Sequence, residues 1–163
     1  MIKELKVKPI SRKNFADCGI FLNPEDHKPK LEEDIFVFWD NLGFMEKNHE
    51  YEVGFLQVNS RKEYFNTLER HLQTQELFYA LNDAILLVSR PSGNKLPDPD
   101  RVKALKVKAG SGVIFKKGAW HWIPFPEKDG ANFIVIFQKN TPEKDLEKID
   151  LLEEKNIKFK LKR

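Results

Sequence analysis

Apolar and polar residues alternate with a period of two along much of this chain, the periodicity of strands that bury one face. Residues 3–8 and 34–39 follow that pattern, and 51–58 does so in part. Residues 84–89 form a short, fully apolar strand, 102–108 another strand, and 132–138 a strand of the buried type. Turn chemistry separates them at Asn82-Asp83, over 91–99, over 109–112 and over 124–130. Helical signals are few. Ser11 is placed to cap a short helix over 12–17. Thr141, with Pro142 at the first helical position, starts a second helix that should run to about Asn156. Leu146, Ile149, Leu151 and Leu152 would be its apolar stripe. Residues 157–162 alternate again and read as an edge strand guarded by lysines. The expectation is a mainly all-β sandwich or barrel with a short N-terminal and a C-terminal helix. It would form one domain over 1–163, with a core at about 31–138 and a C-terminal helix and edge strand over 141–163.

A chain of 163 residues is long enough to bury a proper core. One cysteine, Cys18, excludes an internal disulfide and suits a reducing compartment. It has no basic or helical setting that would make it a nucleophile. The first eight residues alternate charge with apolar side chains, unlike a secretory leader. No apolar run approaches the roughly 20 residues needed to span a bilayer, so a cytoplasmic location is expected. The net charge of +3 is mild and its basic residues are dispersed. Neither nucleic acid nor a membrane surface is an expected partner.

Two stretches carry the chemistry. In residues 68–78, Glu69 and His71 share one strand face, and Glu76 follows after room for a tight turn and a return strand. In residues 110–121, Gly110, Gly118 and His121 punctuate a strand, a turn and a second strand. Two carboxylates and two imidazoles meeting inside a barrel would make either a divalent-metal site or an acid–base site.

These stretches resemble the paired motifs of the cupin superfamily. Its first motif has two His separated by one residue, then a Glu; here Glu69 takes the first His position, His71 the second and Glu76 the Glu position. The second motif is met by Gly110, Gly118 and His121, with Lys116 in place of its Pro. Within the cupins the chain is similar to the ureidoglycolate lyase (ureidoglycolate hydrolase) family. The likeness rests on Glu69-Arg70-His71, on Gly112-Val113 followed by Trp120-His121, and on the opening Leu5 to Gly19. It runs over roughly residues 5–138. Glu76 stands where that family tends to carry Gln, and Trp122 where it carries a second His.

The resemblance implies a double-stranded β-helix, or jelly-roll barrel, and an enzyme that splits ureidoglycolate into glyoxylate and urea in purine and allantoin breakdown. His71 or His121 would act at the carbinol hydroxyl with Glu69 as partner. Lys116, Lys117, Arg61 and Asn59 would hold the small carboxylate substrate. If a metal is bound, Glu69, His71, Glu76 and His121 would be its ligands, the ion being Mn, Fe, Ni or Zn. No organic cofactor is implied. A homodimer is expected, with 2–8 and 157–162 as its candidate edges. Two other classes remain open: a metal-dependent cupin enzyme acting on another hydroxy acid or sugar, and a non-catalytic cupin that binds a small carboxylate.

Overall fold

The computed structural model describes residues 1–93 and 95–163, and its strands build two facing sheets and a separate hairpin. The expected turn over 91–99 includes Asn94, which lies outside the described residues. In chain order the elements are β1 (Ile2–Pro9), α1 (Arg12–Phe15), β2 (Gly19–Leu22), β3 (Leu31–Glu33), β4 (Phe36–Phe38), β5 (Tyr51–Asn59), β6 (Tyr64–Phe65) and β7 (Thr67–Arg70). They continue with β8 (Glu76–Ala80), β9 (Ala84–Ser89), β10 (Lys103–Val107), β11 (Gly112–Phe115), β12 (Trp120–Pro126), β13 (Gly130–Gln138), α2 (Thr141–Lys144), β14 (Glu147–Asp150), α3 (Leu151–Lys155) and β15 (Lys158–Lys162).

One sheet has the order β14-β7-β12-β9-β10-β1-β15-β6, the other β2-β11-β8-β13-β5. The layer between them takes Leu86, Val88, Leu105 and Val107 from the first sheet and Phe78, Val113, Phe115, Phe133 and Val135 from the second. On its other face the first sheet supplies Ile85, Leu87, Trp120 and Phe125, which pack with Leu151, Phe159 and Leu161. β9 therefore contributes alternate residues to two cores, which is why it is apolar on both faces from Ala84 to Val88.

Three expectations are corrected. The C-terminal helix does not form as one element: α2 stops at Lys144, and residues 147–150 pair antiparallel with β7. Asp145 turns its carboxylate onto residues 72–74, and sheet pairing overrides local helix propensity. Asp150 then caps α3 through the backbone N–H groups of Leu152 and Glu153. Of the expected stripe only Leu151 is fully buried, while Leu146 and Leu152 are exposed. Second, β1 and β15 are not edges. β15 lies between β1 and β6, and β1 between β15 and β10, so the alternating lysines decorate interior strands. Both strands lie outside 31–138, so the sheets draw on more of the chain than the expected core. Third, residues 34–39 are not one strand. The chain turns at Asp34-Ile35 to make the β3–β4 hairpin, whose residues are all exposed. The Ser11 cap is as expected, in a capping box with Asn14, although the helix ends at Phe15.

Candidate active site

The site forms where β7 crosses from the first sheet to β8 of the second. β7 ends at Arg70, His71 opens the connecting turn, and Glu76 begins the return strand. Glu69 and His121 are directly opposed across the β7–β12 ladder, so both side chains lie on one face. The second motif is tied to the first by the Gly118 N–H, which donates to the His71 carbonyl at 2.6 Å. Gly118 sits at φ 76°, a left-handed conformation in which a side chain is strained.

His71, Glu76 and His121 converge. Glu76 Oε2 lies 3.1 Å from His121 Nε2 and 3.4 Å from His71 Nε2, and the three ligand atoms fall within 4.8 Å of one another. Glu69 stands beside them, its Oε1 3.8 Å from His121 Nε2. The protons of the imidazoles are fixed from behind. His71 Nδ1 donates to the Asp145 carbonyl, and His121 Nδ1 to the Ala119 carbonyl at 3.2 Å. Each neutral ring then presents a bare lone pair at Nε2. Two lone pairs and a carboxylate oxygen face one another, with no hydrogen bond formed by the buried Glu76 Oε2 or His121 Nε2. Such a cluster calls for a cation at its centre, a proton or a metal ion, and its donors are those of a divalent-metal site.

The electrostatics agree. Burial pushes the Glu76 carboxyl up, but His121 and His71 outweigh it and hold it at about 2. Burial alone would push the His71 imidazole down; the Glu76 carboxylate, 3.4 Å from its Nε2, reverses the balance and raises it. Glu76 is flanked in the ladder by Phe115 on β11 and Phe137 on β13, and the Phe115 ring stacks on His121 at 4.6 Å. Cys18 is buried, which pushes its thiol up to about 11 and leaves it no role as a nucleophile.

A cavity of about 330 Å³ opens onto Glu76 and Glu69 between β5, β8, β12 and β13. Larger depressions of about 1010 and 740 Å³ lie elsewhere and contain none of these groups. Asn59, Arg61, Lys116 and Lys117, the expected substrate contacts, are not among the residues lining the cavity. Asn59 is exposed at the end of β5. The Arg61 guanidinium donates to the carbonyls of Ile123 and Pro124 and lies 3.8 Å from the Phe125 ring. It thereby clamps the bulge in β12 between Trp122 and Phe125. Lys116 is exposed, and Lys117 pairs with Glu46 at 2.7 Å. Trp122 packs away from the site against the second core.

Two features had no sequence signal. Asp145 holds His71 through its carbonyl and the 72–74 turn through its carboxylate, yet it is one of 25 acidic residues with no motif around it. The apolar wall of Leu56, Phe78, Val135 and Phe137 comes from three strands whose adjacency the sequence does not state.

A family model described as ureidoglycolate lyase matches residues 2–158. The chain belongs to the ureidoglycolate lyase family. No curated protein matches it in sequence. Among solved structures, similarity is found to a cupin protein from Bacteroides fragilis (14% identity, TM-score 0.39, 55% of this chain and 65% of that one). It is also found to an oxalate decarboxylase from Lactobacillus farciminis in a formate complex (16%, 0.42, 80% and 35%). A third is procruciferin, an 11S globulin from Brassica napus (13%, 0.41, 61% and 22%). The chain spans less than two thirds of the length of each. Glu69 and His71, from the Glu-Arg-His at 69–71, are two of the four clustered residues, of which Glu69 and Glu76 line the cavity. No helix among the described residues is long and apolar enough to cross a membrane.

Proposed function

We propose that this chain cleaves the C–N bond of ureidoglycolate, giving glyoxylate and urea, at a divalent-cation site formed by His71, Glu76 and His121. The observation that carries the reading is the set of three acceptor atoms turned on one another, two of them buried and without a hydrogen bond. A bound divalent ion would neutralise these donors, attract the substrate carboxylate and hydroxyl, and lower the hydroxyl pKa. Without it the charged groups lining the cavity, among the described residues, are Glu69 and Glu76, which repel a carboxylate. Mn, Fe, Ni and Zn all suit two imidazoles and a carboxylate.

With the imidazole Nε2 atoms facing the cation, Glu69 is the group left to move protons. It takes the carbinol hydroxyl proton and returns it to the departing urea nitrogen as the C–N bond breaks and the aldehyde forms. His71 and His121 orient the reacting head and are themselves fixed by the Asp145 and Ala119 carbonyls. A cytoplasmic location suits this reaction. The homodimer reading moves from β1 and β15 to β5, a nine-residue edge strand with Val53 and Phe55 exposed.

Glu69→Gln tests the division of labour. It should keep its metal content, measured on the purified protein, while glyoxylate release falls by roughly 10²–10⁴. Retained turnover would remove Glu69 from proton transfer, and lost metal would make it a ligand.

A further inference from the structure

The walls of the cavity are a poor match for unsubstituted ureidoglycolate, which is polar along its whole length. Leu56, Phe78, Val135 and Phe137 form one continuous apolar surface, and Phe55 and Ile123 extend it to the rim. This surface begins at the reacting centre: Phe137 is directly opposed to Glu76 in the β8–β13 ladder, and Val135 to Phe78. The only charged groups lining the cavity among the described residues are Glu69 and Glu76, with no Lys or Arg. A urea group held against such a wall would leave its N–H and carbonyl groups unpaired. The volume of about 330 Å³ reaches the range of pockets that take drug-sized ligands, about 300–1,000 Å³.

We propose that the site takes an α-hydroxy-α-ureido acid whose outer nitrogen carries an apolar substituent, alkyl or aryl, seated between Leu56, Phe137 and Val135. The inference rests on the lyase reading and deepens it. The chemistry is unchanged. The bond between the carbinol carbon and the inner nitrogen breaks, the hydroxyl proton passes to that nitrogen, and the products are glyoxylate and an N-substituted urea. Leu56, Val135 and Phe137 are then the residues that set specificity.

The test compares glyoxylate release from ureidoglycolate and from its N-propyl and N-phenyl derivatives by the manganese-loaded full chain. Burial of each methylene is worth about fourfold, so kcat/KM should rise about tenfold or more for the substituted compounds. Equal or lower values would overturn the proposal. Leu56→Asn, which puts an amide on the wall, should lower the ratio between substituted and unsubstituted substrates; an unchanged ratio would count against it. If no compound is turned over, the lyase reading fails by itself, and calorimetric binding of phenyllactate against lactate then decides. Tighter binding of phenyllactate supports an apolar subsite, and equal binding overturns it.

Discussion

At the scale of single residues, the site turns three acceptor atoms on one another, an arrangement that a cation would relieve. Glu76 cannot relieve it by taking a proton, because its neighbours hold it ionised down to about pH 2. In the metal-free protein the proton goes to His71, whose pKa is raised above 6.5. That gives a signed expectation. The His71 contribution is complete below about pH 6.5 and is lost as pH rises through the folded value; the Glu76 contribution is present above about 4.5 and is lost as pH falls toward about 2. In chelator, denaturation midpoints should therefore decline from mildly acidic to alkaline pH, and manganese should remove that decline by replacing the proton. A chelated protein whose stability is flat or rising through that range would contradict the assignment. His71→Ala, Glu76→Ala and His121→Ala should each lose bound metal and turnover together, read by metal analysis and glyoxylate release.

At the scale of elements, geometry depends on one turn and one bulge. Asp145 accepts from the backbone N–H of Leu72 and Gln73 and from the Thr74 hydroxyl, at 2.8–2.9 Å, while its own carbonyl fixes His71. Asp145→Ala keeps the carbonyl and removes the carboxylate. It should cost about 2 kcal/mol of stability and weaken metal binding by roughly 10–100-fold, with Asp145→Asn recovering part of both. Metal affinity equal to wild type would assign the residue to stability alone. Much of this architecture was legible. The partial alternation at 51–58 and the strand patterns at 84–89, 102–108 and 132–138 mark strands that form there, and the spacing of Glu69, His71, Glu76 and His121 marks side chains that meet. The C-terminal segment was not legible, because Leu146, Ile149 and Leu151 fit a helix and a strand-turn equally well until β7 offers a partner. The cations at 61 and 117 show a related limit: charge type is visible in a sequence, but its commitment to Ile123, Pro124 or Glu46 is not.

At the scale of the whole molecule, the dimer proposed above would join through an exposed strand. β1 and β15 are paired on both sides, whereas β5, among the described residues, pairs only with β13 and exposes Val53 and Phe55 at 73% and 62%. Val53→Lys with Phe55→Lys should convert a dimer to a monomer in sedimentation experiments, and a wild-type protein that sediments as a monomer would remove the interface. The central claim concerns the barrel interior, where His121 from the first sheet, His71 from the turn after β7 and Glu76 from the second sheet would hold one cation. Its most direct test is glyoxylate release from racemic ureidoglycolate by purified protein, before and after chelation and again after a divalent ion is restored. The account predicts release that chelation abolishes and the ion recovers. Release at full rate in the chelated protein would contradict it.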